Sequence, residues 1–280
     1  MKHIVIIMSL FCSSHLLLGQ AYKVMTYNIR YDTSNDGENQ WSQRKSFLGH
    51  QIGFHEPDVF GIQEGLEHQV RFLDSVLLNY KYIGVGRDDG KTKGEYSAIF
   101  YNANKLKPLK TDTFWLSETP ETISVGWDAA MERICTYALF ENVKTKEHFW
   151  VFNTHFDHRG EEARINSAKL ISKSIEDINK NNYPFILMGD LNLKPESAPI
   201  QYLSSVFNDA KMVSLTPPFG PDGTFNGFQF FEPVTNRIDY IFTSKSNIKV
   251  LKYAVLSDSR DCKYPSDHLP VFAEVLLKPN

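Results

Sequence analysis

The chain has 280 residues and a net charge of −3, with 42% hydrophobic and 22% charged residues. This is the composition of an ordinary globular protein, and the length suits one large domain or two small ones. A mildly acidic chain lacks the basic excess expected of a protein that binds nucleic acid without sequence preference. A local basic groove is compatible with a negative total, so a nucleic-acid substrate is disfavoured rather than excluded.

Residues 1–20 predict a secretory signal peptide. Lys2 precedes a short apolar run over 4–18, and the small-residue stretch Gly19-Gln20-Ala21 follows it. These are the three parts of an export signal, and the run is too short and too interrupted to span a bilayer comfortably. The alternative is an N-terminal strand or core helix. We therefore expect an exported protein, periplasmic or extracellular, with a single domain over 21–280, no stable membrane insertion and a monomeric state.

Two cysteines remain outside the signal peptide, Cys135 and Cys262, and they lie far apart in the sequence. We predict a packed thiol at Cys135 and a loop thiol at Cys262. Export would permit a disulfide between them, so the sequence leaves that alternative open. Neither cysteine has the neighbours of a metal or redox site.

The remaining chain alternates short strands with helices, without a linker or an obvious internal repeat. In chain order the patterns predict a strand at Lys23–Tyr31, a helix at Ser42–His55, a strand at Asp58–Gln63, a helix at Glu67–Leu78, strands at Tyr80–Gly86, Ala98–Tyr101, Leu106–Trp115, Arg133–Asn142 and Phe149–His155, a helix at Glu161–Asn181, and strands at Phe185–Met188, Asp239–Thr243, Ile248–Leu256 and Leu269–Leu277. The close spacing from Tyr80 to His155 suggests one antiparallel run. Helices flanking strands throughout predict a layered α/β fold with mixed sheets.

Polar residues stand where many of these strands begin or end. They are Asn28, Glu64, His155, Asp190, Asn192, Asp239, Asp267 and His268. Each alone has an ordinary explanation as a hydrogen-bonding or surface residue, but together they form the donor set of a hard cation such as Mg²⁺, with Mn²⁺ as the alternative. Zinc would require more histidine or cysteine. The sequence contains neither a P-loop nor a Gly-x-Ser-x-Gly elbow.

Six ordered motifs carry a resemblance to a known family. They are Thr26-Tyr27-Asn28-Ile29-Arg30-Tyr31, Ile62-Gln63-Glu64, Asn153-Thr154-His155, Gly189-Asp190-Leu191-Asn192, Arg237-Ile238-Asp239-Tyr240 and Ser266-Asp267-His268-Leu269-Pro270-Val271. In this order they resemble the motifs of the endonuclease/exonuclease/phosphatase superfamily, which includes the pancreatic-type deoxyribonucleases. The resemblance spans 24–272 and implies a four-layered α/β sandwich, two mixed β-sheets packed face to face with helices on the outer faces.

The resemblance also implies residue roles. Glu64 corresponds to the principal Mg²⁺ ligand, and Asn28 and Asp267 complete or support the metal shell. The catalytic set is His155, Asp190, Asn192, Asp239 and His268. In that set Asp190 orients or deprotonates the attacking water, and Asn192 holds the phosphate or the nucleophile. His268 and Asp239 form an Asp–His couple, while His155 stabilises charge or protonates the leaving oxygen.

Other residues are candidates for substrate contacts. Arg30 stands where many abasic-site enzymes carry an acidic metal ligand, so it is predicted to contact phosphate. Arg133 and Arg164 are further candidates for anion binding, with surface ion pairs as the alternative. Phe225, in a Thr-aromatic element, is predicted to shape the substrate pocket. No partner that orients His155 is evident, and Asp157 is the nearest candidate.

The sequence thus predicts a divalent-metal-dependent phosphoesterase. A phosphomonoester or phosphodiester of small or medium size, such as a sugar phosphate or nucleotide, fits the acidic net charge. A secreted nuclease acting on DNA or RNA is the alternative, favoured by Asn28-Ile29-Arg30 and by export. A lipid phosphodiesterase with Phe228-Gln229-Phe230-Phe231 as its membrane element is a further alternative. A noncatalytic binding module is disfavoured because every motif residue is present.

Overall fold

The computed structural model describes residues 21–278, so the predicted signal peptide lies outside the described residues. The strands are β1 (Ala21–Asn28), β2 (Val59–Gln63), β3 (Tyr80–Ile83), β4 (Ile99–Asn102), β5 (Leu106–Trp115), β6 (Ile134–Asn142), β7 (His148–His155), β8 (Phe185–Asp190), β9 (Asn208–Asp209), β10 (Asp239–Thr243), β11 (Ile248–Val255) and β12 (Val271–Leu277). The α-helices are α1 (Trp41–His55), α2 (Glu67–Val76), α3 (Glu161–Ile178), α4 (Ala198–Val206) and α5 (Ala210–Val213), and a 3₁₀ helix covers Ser34–Asn39.

Within this range the strands form two sheets with matching layouts. The first sheet has the order β11-β12-β1-β2-β4-β3, and the second has the order β5-β6-β7-β8-β10-β9. Each sheet contains one parallel pair near its centre, β1 with β2 and β7 with β8, and its other pairs are antiparallel. Both sheets are therefore mixed, as predicted.

Three apolar cores separate four layers. The first core lies between the sheets and joins Val24 and Val271 of one to Val151 and Ile241 of the other. A second core packs α3 and α4 on the outer face of the second sheet, and a third packs α1 and α2 on the outer face of the first. Burying each large aliphatic side chain in these cores contributes about 1.5–3 kcal/mol. The predicted α/β sandwich is confirmed.

Alternation along the strands sends successive side chains to different cores. In β1, Val24 enters the core between the sheets, whereas Met25 and Tyr27 face the helices. This follows from the two-residue repeat of a strand. Asn28, four residues after Val24, consequently points into the space between the sheets at its open end.

The three long helices confirm the predicted helical patterns to within a few residues at their ends. The antiparallel pairing predicted from Tyr80 to His155 is confirmed, but the run is divided between the two sheets. β3 and β4 pair within the first sheet, and β5, β6 and β7 pair within the second. The residue pattern of a strand indicates extended backbone, but it does not indicate which sheet the strand joins. The passage of the chain from the first sheet at β4 to the second sheet at β5 was therefore not predictable from the sequence.

Asn153 of β7 makes a polar bridge from the second sheet to the first. Its side-chain nitrogen donates to the carbonyl oxygens of Ile62 and Ala98, both at 2.9 Å, and its oxygen accepts from Gln63 at 2.6 Å. Gly61 leaves the space for this side chain, because a Cβ there would collide with it. The motif Asn153-Thr154-His155 therefore contains a structural residue beside its catalytic candidate.

Replacing Asn153 by alanine is expected to lower the free energy of unfolding by about 2–4 kcal/mol, because it removes three buried hydrogen bonds between the two sheets. Urea unfolding followed by tryptophan fluorescence measures this change. Asn104→Ala, at an exposed loop position, is the matched control and is expected to change stability by less than about 0.5 kcal/mol. If Asn153→Ala also lowers the free energy of unfolding by less than about 0.5 kcal/mol, Asn153 does not have this structural role.

The cysteines lie as the sequence predicts. Cys135 is buried in β6 and Cys262 is exposed in a loop, and both are free thiols. Burial raises the pKa of Cys135, which keeps this thiol protonated and unreactive. Within residues 21–278, no helix combines the length and apolar character needed to cross a bilayer.

Candidate active site

Polar side chains from both sheets meet at the open end of the core between the sheets. Asp190 ends β8 on the face that carries Ile186 and Met188 into that core. In the register of the second sheet, Asp190 pairs with His155 on one side and with Asp239 on the other. The strands thus deliver three functional candidates to one place, with Asp190 in the middle.

Unusual backbone conformations cluster around this opening. Four of the ten described non-glycine residues with positive φ line it, namely Arg30, Glu64, Asn192 and Phe228. Such conformations cost about 1–3 kcal/mol each and persist where surrounding structure enforces them, which is typical of functional sites. Gly189 has φ of 153°, and a Cβ there would collide with the Thr154 carbonyl oxygen. The glycine before Asp190 is therefore required by close packing of β7 and β8.

His268 stands between two carboxylates. Its Nδ1 lies 2.9 Å from Asp239 Oδ2, and its Nε2 lies 3.7 Å from Asp190 Oδ2. Burial by itself would lower the pKa of His268, but Asp239 and Asp190 outweigh it and raise the pKa well above its ordinary value. Burial and the charge of Asp239 raise the pKa of Asp190 to about 7. The geometry therefore provides an imidazolium next to a carboxyl group that titrates near neutrality.

Asn28 connects the two halves of the acidic cluster. Its side-chain nitrogen donates to Glu64 at 3.0 Å and to Asp190 at 2.9 Å, while its oxygen accepts from the backbone N–H of Arg30 at 3.0 Å. In this arrangement Asn28 orients carboxylates. Its role as a direct metal ligand stays a prediction.

Arg30 lies close to the predicted metal ligands. Its guanidinium pairs with Asp36 at 2.9 Å and stacks over Tyr31 at 4.4 Å. It also lies 3.8 Å from Glu64 and 3.8 Å from Asp267. The side chain is about a quarter exposed, so it can reach either these carboxylates or an anion in the opening.

His155 is oriented by partners that the sequence did not reveal. The Asn192 side-chain nitrogen donates to the Phe156 carbonyl and faces His155 Nε2, both at 3.0 Å, which leaves the proton of a neutral imidazole on Nδ1. Nδ1 lies 3.9 Å from Glu95. Burial and the charge of Arg133 hold the pKa of His155 well below its ordinary value. His155 is thus neutral, in contrast to His268.

Asp157 does not orient His155, the role for which the sequence made it the nearest candidate. Its carboxylate accepts from the backbone N–H groups of Arg159 at 2.8 Å and Gly160 at 2.7 Å, and it lies 3.4 Å from Arg133 Nε. Arg133 also contacts His158, and its Nη1 has no hydrogen-bond partner among residues 21–278. A buried guanidinium with a free donor that lines a cavity is suited to bind an anion or a hydroxyl group.

A cavity of about 720 Å³ contains most of the predicted site, including Arg30, Glu64, Arg133, Phe225 and Asp267. Phe225 packs its ring against His268 at 5.1 Å, edge to face. Arg164 does not line this cavity; it lies in the first turns of α3, where its Nε has no hydrogen-bond partner within the described chain. Asp239 lies beneath the cavity, completely buried behind His268.

The residues present fit a divalent cation. Five carboxylate side chains line the cavity together with three arginines and the charged His268, so carboxylates outnumber cations by one. Burial and the neighbouring Glu64 raise the pKa of Asp267, so this cluster is costly to hold without a cation. Within residues 21–278, the groups Glu64-His155-Asp190 and Asp190-Asp239-His268 each place their ligand atoms within 4.8 Å of one another. Such oxygen-rich sets suit a hard metal ion.

Several cavity residues were not predicted from the sequence. Arg87 and Glu95 form a two-bonded ion pair at 2.8 and 3.0 Å, and His158 lies beside Arg133. Arg87 and Glu95 come from the irregular segment between β3 and β4, where no strand or helix period marks a side. The one sequence signal that could have marked this segment is its glycines, Gly84, Gly86, Gly90 and Gly94, at each of which the backbone approaches another residue closely.

Comparison with known proteins identifies the family. Residues 25–268 match the model of the Endonuclease/Exonuclease/phosphatase family, and the chain belongs to that family, whose members are phosphoester hydrolases. The sequence resemblance is thereby confirmed.

Individual relatives extend the comparison. A solved endonuclease/exonuclease/phosphatase family protein from Bacteroides thetaiotaomicron is 36% identical with a TM-score of 0.89, covering 93% of this chain and 99% of that chain. A mannosyl-6-phosphatase of the same organism is 37% identical with a TM-score of 0.87, covering 91% and 100%. A probable RNA exonuclease of Saccharomyces cerevisiae is 27% identical over 202 residues, which is 63% of this chain and 38% of that protein.

Proposed function

We propose that this chain is a Mg²⁺-dependent phosphomonoesterase that acts on a sugar phosphate, with Mn²⁺ as a substitute metal. One observation carries the proposal: the buried His268 stands between Asp239 and Asp190 in a cavity that also contains Glu64. This arrangement supports a role for His268 as a cation, for Asp190 as a base and for Glu64 as a metal ligand. Phosphoryl transfer depends chiefly on such positioning and charge neutralisation.

The roles follow from the contacts. Glu64 and Asp267, oriented with help from Asn28, would hold the metal, which when bound polarises a phosphoryl oxygen and orders water. Asp190, when ionised, accepts a proton from the attacking water. His268 neutralises charge on the phosphoryl group and is the source of a proton for the leaving oxygen. Asp239 keeps His268 charged and in place.

The residues around the acidic cluster would bind the phosphate group and keep water away from His268. Burial and the charge of Arg133 keep His155 neutral and Asn192 orients its ring, so His155 contributes a hydrogen bond rather than a proton. The free Nη1 of Arg133 and the guanidinium of Arg30 are the proposed phosphate contacts. Phe225 covers His268 and limits the access of water.

Two features support a small sugar phosphate over a polymer. The mannosyl-6-phosphatase is similar over more than nine-tenths of both chains. The cavity also has more carboxylates than arginines along its wall, whereas a groove for nucleic acid is rich in basic residues.

A substrate panel tests the proposal. With Mg²⁺ present, mannose 6-phosphate is expected to be hydrolysed with kcat/KM at least about 100-fold above that for single-stranded RNA or duplex DNA ends, each measured by product release. Excess chelator should abolish turnover, and Mg²⁺ should restore it. Strong plasmid nicking, or turnover that survives chelation, would contradict the proposal.

A secreted nuclease is the second candidate, supported by the similarity to the probable RNA exonuclease and by Arg30 beside the predicted metal ligands. The same panel separates the two functions, because a nuclease would release nucleotides and leave mannose 6-phosphate intact.

We also propose export, supported by the charged start, apolar run and small residues of 1–20. The intact mass of protein recovered outside the cytoplasm should correspond to a chain that begins near Ala21. A cytoplasmic chain that keeps its first residues would contradict export.

A further inference from the structure

A second cavity adjoins the first and shares one aromatic wall with it. Its volume is about 340 Å³, and Phe228 lines both cavities. Phe230 and Phe231 form the rest of its apolar lining, and we call Phe228, Phe230 and Phe231 the aromatic shelf. Phe231 is 84% exposed, so its ring is available to a ligand in the second cavity.

The aromatic shelf is anchored directly to the catalytic segment. The backbone N–H groups of Asn226 and Gly227 donate to the Asp267 carbonyl oxygen at 2.8 and 3.0 Å. The Asn226 side chain donates to the Ser266 carbonyl at 3.1 Å and accepts from the Phe228 N–H at 2.7 Å. The chain that carries the shelf is therefore fixed relative to His268 before any ligand arrives, which lowers the cost of binding.

The rings are held in a defined arrangement. Phe230 packs on Tyr264 with centroids 5.1 Å apart, and Phe231 meets Phe230 edge to face at 5.3 Å. Tyr264 thus supports the ring of Phe230, while the ring of Phe231 lines the second cavity. This is the geometry of an aromatic platform, not of a flexible apolar loop.

The charged and polar side chains of the second cavity indicate which kind of ligand it can bind. Lys263 pairs with Glu38 at 2.7 Å, and Glu232 is the remaining charged residue of the cleft. With its one lysine paired and a net charge of −1, this lining offers no unpaired cation to a phosphate or to anionic lipid. Asn39 and Gln229 supply amide groups for hydroxyls. A neutral group with an apolar face and hydroxyl edges matches this lining, and a pyranose ring has both.

We propose that the aromatic shelf is a subsite for a neutral sugar residue that is glycosidically linked to the phosphorylated sugar in the first cavity. This rests on the proposed function, and it deepens the substrate class from a free sugar phosphate to the phosphorylated end of a glycan. Binding energy from the second sugar then helps to place the phosphate, because remote contacts position a reacting group.

The test compares two substrates in wild-type enzyme and two variants. The substrates are mannose 6-phosphate and an α-mannobiose with phosphate on O6 of its non-reducing mannose. Phe231→Ala is expected to lower kcat/KM for the disaccharide by about 3- to 10-fold, mostly through KM, because the loss of one aromatic contact weakens binding by about this factor. The same variant should leave mannose 6-phosphate within about 2-fold, within the range of a change far from the reacting group. Phe54→Ala removes an equally exposed ring, 81% exposed on α1, and should alter neither substrate.

A binding measurement separates this proposal from the proposed function. Unphosphorylated α-mannobiose is expected to show saturation-transfer NMR signals with wild-type protein, and its affinity from a titration of these signals is expected to fall by about 3- to 10-fold with Phe231→Ala. If neither phosphate ester is hydrolysed but this binding persists, the sugar phosphatase fails and the subsite stands. Equal losses on both substrates, absent mannobiose binding, or Phe231-dependent co-sedimentation with neutral phosphatidylcholine vesicles would each overturn the subsite.

Discussion

Replacing Asp190 by asparagine is expected to lower kcat for the sugar phosphate by about 10³-fold, since it removes the proposed base while keeping the size of the side chain. Asp190 lies 3.7 Å from His268 and 3.5 Å from His155, and it accepts from the Asn28 side chain and the Asn192 backbone. No other described carboxylate occupies the same position between the two histidines, so little residual base catalysis should remain. Steady-state kinetics at saturating Mg²⁺ measures the effect.

Stability provides the control for this variant. The pKa of Asp190 is raised to about 7 in the fold, so its ionised form disfavours folding and the wild-type protein loses stability as pH rises toward that value. A neutral asparagine removes this cost. In the absence of metal at pH 8, Asp190→Asn should melt at the same temperature as wild type or higher. Asp177→Asn, at an exposed position on α3, should retain full activity. If Asp190→Asn keeps more than about a tenth of wild-type kcat, Asp190 is not the base.

Replacing Asp239 by asparagine should lower kcat by about 10²- to 10⁴-fold at pH 8 and by less at pH 6. Asp239 bonds to His268 at 2.9 Å and its charge raises the pKa of both His268 and Asp190. Activity requires Asp190 without its proton and His268 with one. The wild-type rate should therefore rise as Asp190 loses its proton and fall where His268 loses its own.

Removing the Asp239 charge shifts both limbs of this profile in the same direction. The pKa of Asp190 falls, because a neighbouring negative charge is gone, and the acidic limb moves to lower pH. The pKa of His268 also falls, because a favourable partner is gone, and the alkaline limb moves to lower pH. The kcat profile from pH 5 to 10 at fixed Mg²⁺ reports both limbs. A profile that keeps its shape and only decreases in height would show that Asp239 acts by positioning alone.

Three of the motif residues, Asn28, His155 and Asp190, were predictable as candidates because strand alternation marks them. Asn28 follows Val24 by four residues and His155 follows Val151 by four, so each continues the face that enters the core between the sheets. Asp190 has the same relation to Ile186. A polar residue on an otherwise apolar face at a strand end is a signal that a single sequence contains.

The partner of His155 was not predictable in this way. Asp157 is two residues away, but β7 ends at His155, so the two-residue alternation stops before Asp157. The carboxylate instead binds backbone N–H groups at the start of α3 and the Arg133 side chain. Glu95, which faces His155, comes from a loop of the first sheet that is 60 residues earlier in the chain.

Sequence spacing also did not predict which of Arg133 and Arg164 lines the cavity. Both were candidates because an arginine near a strand or helix end can reach an anion. Arg133 lines the cavity just before β6, whereas Arg164 lies outside the cavity lining. The direction of a side chain near an element end depends on how that element packs against its neighbours, so sequence spacing did not distinguish them.

The sequence by itself determined most of the strands, the three long helices and the layered class, and its polar strand ends marked the eight motif residues as candidates, since strand and helix periods and strand ends are local properties. Only the tertiary structure decided which sheet each strand joins, where Arg87 and Glu95 stand, and which histidine is charged. Both histidines are buried, which lowers the pKa of each. Asp239 and Asp190 outweigh this for His268 and keep it charged, whereas Arg133 and Arg87 lower the pKa of His155 further and keep it neutral. Those charges come from strands and loops distant in sequence, and the fields that set a pKa exist only after these segments have packed together.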